Sequence, residues 1–211
     1  MPSIFNNLSK NQVNKLFKLL GVHIYKYSKN QEILPTIKNK NIVGIILQGS
    51  AQIIVSDYNG NEILAEELSE NSVFGNAISA LNSDDYQIIA KKDTEVVVID
   101  YENLFYSRNI KYNYFNVFLS NLFSIVYAKS KEKNDRIRIL EKKTIRDKLL
   151  EYFSIERKGN PDDVIYLPFS FKDLADYIGV NRSAMFRELK NLKDEGFVEV
   201  KGKKVSLLYK D

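Results

Sequence analysis

From Tyr112 to Leu140 the chain contains neither proline nor glycine, and its apolar residues fall at helical intervals. This stretch predicts one long helix. Phe115, Phe118, Leu119, Leu122, Phe123, Ile125 and Val126 cover too much of its circumference for a single buried stripe. A helix that is apolar on two sides needs two partners. The domain ahead of it can cover one side, and the same helix of a second subunit can cover the other. The expected seam of a parallel homodimer is Phe115, Phe118, Leu119, Leu122, Ile125 and Val126. Burial of the whole helix within one subunit is the alternative.

Ahead of this helix the texture is different. Val13, Leu16, Phe17 and Leu20 have the spacing of a short amphipathic helix. Short β-like runs follow at His23–Tyr27, Ile42–Leu47, Ala51–Ser56, Glu62–Leu68, Gln87–Ala90 and Glu95–Ile99. Turn residues punctuate them: Gln48-Gly49-Ser50, Asp57-Tyr58-Asn59-Gly60 and Glu70-Asn71-Ser72. The near-regular spacing predicts an antiparallel barrel or sandwich instead of a parallel α/β sheet. An immunoglobulin-like sandwich fits poorly with a helix in front and a longer one behind.

Composition removes much chemistry. The 211 residues include no cysteine and one histidine, His23. Disulfides, thiolate-held iron–sulfur clusters, cysteine nucleophiles, zinc fingers and multi-histidine metal centres are therefore excluded within one chain. The first ten residues lack a signal-peptide layout, and no apolar run approaches ~18 residues, so the expectation is a cytoplasmic protein without a membrane partner. Residues 1–100 carry 9 basic and 11 acidic side chains, whereas all seven arginines lie at or after Arg108. A polyanion partner is expected at the C-terminal end.

Past Leu140, Thr144–Glu156 reads as a helix with Ile145, Leu149, Leu150 and Phe153 inward, and Val164–Leu167 as a short strand. Ser170-Phe171-Lys172-Asp173 has the pattern of a capping box. Leu174, Ala175 and Ile178 then face inward on a short helix, Gly179 turns the chain, and Asn181 caps a second helix. On that helix Met185, Leu189 and Leu192 fall inside, while Arg182, Ser183, Phe186, Arg187 and Lys190 fall outside. Two arginines about a turn apart at an exposed helix N-terminus suit the major groove, where a guanidinium can engage guanine O6 and N7 together. Phe197–Val200 and Val205–Leu208 read as strands joined by a basic tip with Lys201, Lys203 and Lys204, able to contact phosphate.

This segment resembles the winged helix-turn-helix of the cyclic-AMP receptor protein/FNR (CRP/FNR) family of bacterial transcription regulators. The likeness is carried by Leu174-Ala175, Gly179-Val180, Arg182, Arg187, Leu189-Lys190, Leu192 and Glu195-Gly196. Ile46-Leu47-Gln48-Gly49-Ser50-Ala51 is similar to the family's barrel turn, Asn59-Gly60-Asn61-Glu62 to its hairpin, and Phe74-Gly75 to the start of its phosphate-binding cassette. The resemblance spans roughly residues 10–209. It implies an α+β chain: a cyclic-nucleotide-binding-like β jelly-roll barrel at residues 1–110, a dimerisation helix at 111–140, and a winged helix-turn-helix at 141–211. The implied function is a homodimeric regulator, not an enzyme, binding a palindromic operator on double-stranded DNA. RNA polymerase and a small-molecule effector complete the expected partners. The expected DNA contacts are Asn181, Arg182, Ser183, Phe186, Arg187, Lys190, Lys201, Lys203 and Lys204.

The effector region departs from the family pattern. Phe74-Gly75-Asn76 stands where nucleotide-binding members have Phe-Gly-Glu, and their phosphate-binding Arg-Ser pair falls near Asp84-Asp85. Residues 1–107 contain no arginine. Carboxylates beside a buried phosphate repel it, so the expected effector is something other than cyclic AMP. Phe74, Gly75, Asn76, Asp84 and Asp85 remain the candidate pocket residues. Haem would depend on His23 alone, and no cysteine exists for a cluster, so no cofactor is expected. Two other readings compete with the regulator. One is a metal-free cupin-like barrel enzyme or metabolite-binding protein with Asp84 and Asp85 as its acid/base candidates. The other is a non-specific architectural DNA binder, against which a separate barrel argues.

Overall fold

The computed structural model describes residues 3–34, 41–56, 58, 60, 62–75, 86–105, 111–157 and 163–208. The chain divides into two compact units, residues 1–128 and 129–211.

The first unit opens with α1 (Lys10–Leu20), started by a reciprocal cap. The Gln12 N–H donates to Ser9 Oγ at 3.3 Å, and the Ser9 N–H donates to Gln12 Oε1 at 2.8 Å. Among the described residues seven strands follow: β1 (His23–Tyr27), β2 (Ile42–Gln48), β3 (Ala51–Ser56), β4 (Glu62–Leu68), β5 (Val73–Phe74), β6 (Tyr86–Ala90) and β7 (Thr94–Asp100). They form two antiparallel sheets, ordered β1-β7-β2-β5 and β4-β3-β6. A 3₁₀ turn, Tyr101–Leu104, leads towards α2 (Asn113–Leu140).

Period-two alternation explains why β2 and β7 are nearly all apolar. Ile42 and Ile46, with Val96 and Val98, face Ile53, Leu68 and Ile88 of the opposing sheet. Val43 and Ile45, with Val97 and Ile99, face Leu16 and Leu20 of α1 and the start of α2. Both sides of this sheet are thus covered, so each of its central strands reads as a continuous hydrophobic run. Six of the seven strands lie where alternation and turn residues predict them. β5, two residues long, carries no periodic signal.

The structure corrects the expected seam on α2. Phe115, Phe118, Leu122 and Ile125 are buried in the same core as Val43 and Val97, and Leu119 and Val126 pack partly against it. These six residues line the chain's own barrel. Periodicity marks a face as apolar without saying which body covers it. The large residues left outward on this part of the helix include Phe123 and Tyr127, 69% and 71% exposed, with Ile137 and Leu140 exposed further along. Phe123 and Tyr127 belong to an exposed series, Ser120, Phe123, Tyr127, Ser130, Asn134 and Ile137, whose members lie three and four residues apart in alternation.

The second unit takes the end of α2, then α3 (Ile145–Arg157), β8 (Val164–Tyr166), α4 (Phe171–Tyr177), α5 (Arg182–Asp194), β9 (Val198–Lys201) and β10 (Lys204–Leu207). Its core joins Ile139, Leu149, Phe153, Leu174, Met185 and Val205. The three strands form one antiparallel sheet with β10 in the middle, between β8 and β9. The end of α2 is tied to α3 by Glu151, which takes ion pairs from Arg138 and, at 3.0 Å, from Lys142. Among the described residues no helix is long and apolar enough to cross a membrane.

Candidate nucleic-acid interface

Local sequence sets both helices of the helix-turn-helix. Ser170 starts α4: its Oγ accepts from the Asp173 N–H at 3.3 Å, while the Asp173 carboxylate accepts from the Ser170 N–H at 3.1 Å and Oγ–H at 2.7 Å. These hydrogen bonds hold the Asp173 carboxyl below the usual carboxylate range. Leu174, Ala175 and Ile178 are fully buried, as the spacing predicts.

Gly179 ends α4 in the left-handed region, φ 64°. Its N–H donates to the Asp176 carbonyl at 3.2 Å, and the Val180 N–H donates to the Ala175 carbonyl at 3.0 Å. This double bond pattern closes the helix and aims the chain at its successor. Two cations from outside α4 donate to its last carbonyls: Arg136 Nε to Tyr177 at 3.3 Å and Lys148 Nζ to Ile178 at 3.2 Å.

Asn181 then caps α5, its side chain accepting from the Ala184 N–H at 3.2 Å. Met185, Leu189 and Leu192 seal one face of α5. Asn181, Arg182, Ser183, Phe186, Arg187 and Lys190 are exposed along the other. Phe186 is 45% exposed, and its ring lies 6.2 Å from that of Phe171 on α4.

Beside this helix the β9–β10 hairpin carries Lys201, Lys203 and Lys204 at its tip. Lys201 and Lys203 are exposed and Lys204 is half-buried. Lys201 Nζ lies 3.2 Å from Glu199, so part of its charge is already answered.

The structure adds Arg146, Glu188 and Asp176, which sequence patterns did not single out. Arg146 on α3 pairs with Glu195 and, at 3.3 Å, with Glu188, and lies 4.9 Å over the Phe197 ring. It fastens the middle and the C-terminal end of α5 to α3, and its hydrogen bond holds the Glu195 carboxyl below the usual range. Asp176 on α4 places Oδ2 2.7 Å from Arg182 Nη2. These partners stand six to 49 residues apart, so no local period marks them.

The barrel's candidate residues divide. Phe74 is fully buried in the core between the sheets. Gly75 has φ 122°, and a Cβ there would lie 2.3 Å from the Ile42 carbonyl oxygen. The Phe-Gly pair is therefore demanded by packing. Asn76, Asp84 and Asp85 lie outside the described residues. His23 is exposed on β1, its ring 6.4 Å from that of Tyr25. A cleft of 310 Å³ opens elsewhere on this unit, lined by Lys26, Tyr27, Ser28, Gln48, Asp93, Thr94 and Glu95.

A two-sheet antiparallel unit, a long helix and a capped helix-turn-helix with a basic wing define a winged-helix DNA-binding protein with a jelly-roll domain ahead of it. Comparison with known proteins places the C-terminal domain. Residues 145–211 match the Crp-like helix-turn-helix domain. The Porphyra purpurea protein ycf28, named as an HTH-type transcriptional regulator, is 28% identical over 189 residues, covering 86% of this chain and 76% of that protein. Among solved structures, a CprK variant complexed with OCPA matches with a TM-score of 0.61 at 17% identity, covering 90% of this chain and 88% of that one. A CooA variant from Carboxydothermus hydrogenoformans matches at 0.53 and 18%, covering 97% and 88%. The structures share the fold. The chain is a DNA-binding transcription regulator whose residues 145–211 are a Crp-like helix-turn-helix domain.

Proposed function

We propose that two copies of this chain read a two-fold symmetric DNA site, each placing α5 in the major groove. The observation that carries this reading is the division of α5 into a sealed face and an exposed, arginine-bearing one. Arg187 and Arg182 meet base edges, Ser183 and Phe186 add contacts beside them, and Asn181 and Lys190 lie towards the backbone. Lys201, Lys203 and Lys204 meet phosphates. Two-fold symmetry sets the half-sites about one helical turn, ~34 Å, apart.

Pairing of the copies runs along the exposed series on α2 that holds Phe123 and Tyr127. Its three-and-four spacing is that of a coiled-coil seam, and the two rings are large apolar surfaces that water otherwise meets. The barrel takes an effector other than cyclic AMP and biases the pair of recognition helices. RNA polymerase is the expected partner once DNA is bound.

Selection of duplexes from a randomised library by the full-length protein tests this reading. Recovery of an inverted repeat with centres one turn apart supports it. Recovery of unrelated sequences, with equal affinity for scrambled DNA, would reduce the protein to a non-specific binder.

A further inference from the structure

We propose that Asp176 is a specificity-determining positioning residue: its carboxylate holds Arg182 in one pose and withholds the guanidinium from DNA that offers no better acceptor. This rests on the reading of Arg182 as a base contact.

Asp176 has no structural task to explain it. Among the described residues its carboxylate meets Arg182 alone, at 2.7 Å, and both side chains are more than half exposed. An exposed pair of this kind adds little to folding stability. Asp173, three residues earlier, differs: its carboxylate is occupied by the Ser170 cap. Yet Asp173 also acts on Arg182 and is itself acted on by Lys203 of the wing. Two carboxylates of α4 therefore stand among cations that are offered to a polyanion.

Such acids weaken attraction to any phosphate backbone. Their presence beside the first residue of α5 has a use if they act on the difference between sequences. A phosphate of random DNA must compete with Asp176 for Arg182, and the carboxylate repels that phosphate. A guanine edge in register can accept from the free side of the guanidinium while Asp176 keeps the other side. Holding the long side chain in place beforehand also reduces the rotamer freedom lost on binding. The carboxylate thus penalises random DNA more than the correct site, and it does so twice per dimer.

The test uses full-length native protein, Asp176→Asn, Asp176→Glu, Arg182→Ala and the Asp176→Asn/Arg182→Ala double variant. The probes are a duplex selected by the native protein and a scrambled duplex of the same composition, titrated by fluorescence anisotropy at several salt concentrations. Asp176→Asn should bind the scrambled duplex about threefold more tightly, with a steeper salt dependence. It should bind the selected duplex with unchanged affinity, so that the affinity ratio falls about threefold. Asp176→Glu should restore most of that ratio, and Asp176→Asn should leave the ratio unmoved when Arg182 is already alanine. Equal tightening on both duplexes would make Asp176 a bulk charge and overturn the proposal. A drop in ratio that persists without Arg182 would overturn it too. If Arg182→Ala keeps the native ratio, the base-contact reading of Arg182 fails first. If Arg182→Ala lowers the ratio while Asp176→Asn does not, only the role of Asp176 fails.

Discussion

Arg187 and Arg182 sit five residues, about 1.4 turns, apart on the same helix but in different company. Arg182 is held by Asp176, whereas Arg187 is exposed and has no ion-pair partner among the described residues. Arg187 is the side chain freest to fork onto a guanine, a contact that gives roughly 1–3 kcal/mol of discrimination. Arg187→Ala should cost at least about tenfold on the selected duplex and little on a scrambled one. Replacing Lys201, Lys203 and Lys204 with glutamine should weaken both and flatten the salt dependence. Gel-shift titrations across a salt series separate the two. An equal loss on both duplexes for Arg187→Ala would make it a phosphate anchor. Residues set by local period, such as Asn181 at the cap and Met185 on the sealed side, were legible in sequence. The Arg146 clamp was not, because Glu188 and Glu195 reach it from 42 and 49 positions away.

The elements themselves each carry a testable consequence. α4 is only seven residues long and depends on its cap. Ser170→Ala removes the bonds that Oγ makes in the capping box, leaves the backbone N–H of residue 170 on Asp173, and should lower stability by about 1 kcal/mol in denaturant unfolding. The Asp173 carboxyl is lowered by the same bonds, so its share of stability is present above the ordinary carboxylate pKa of ~3.9 and lost as pH falls through the lower, folded value. On α2 the two sides predict opposite failures. Phe123→Glu with Tyr127→Glu should give folded monomers by size-exclusion chromatography with light scattering. Leu122→Glu should instead unfold the barrel, because Leu122 is only 8% exposed and lies in its core. An unchanged dimer in the first variant would move the seam elsewhere. The helix was plain from its lack of breakers. The assignment of its sides was not, since an apolar stripe looks the same whether a barrel or a second helix covers it.

At the scale of the molecule, alternation in the first hundred residues and helical spacing in the last seventy were enough to place a barrel ahead of a winged helix. The ligand question stayed harder because the pattern there is one of missing groups. Residues 1–107 hold no arginine, and Phe74 and Gly75 are accounted for by packing. Cyclic AMP and cyclic GMP should therefore bind no more tightly than millimolar in calorimetry, as a buried phosphate needs a cation. A micromolar constant for either would overturn this and direct attention to Lys91 or Lys92.

The middle place of β10 in its sheet has a consequence for synthesis. β8 lies before the helix-turn-helix in sequence, yet its hydrogen-bonded neighbour is β10, through Val205 opposite Ile165. As the chain leaves the ribosome, α4 and α5 emerge before the strand that anchors β8 and closes their shared core through Val205 and Leu207. Such non-local pairing forms late. A nascent polypeptide arrested before residue 204 would carry the whole recognition helix and still lack a folded surface on which to present it, so the capacity to read DNA arrives with the β10 residues.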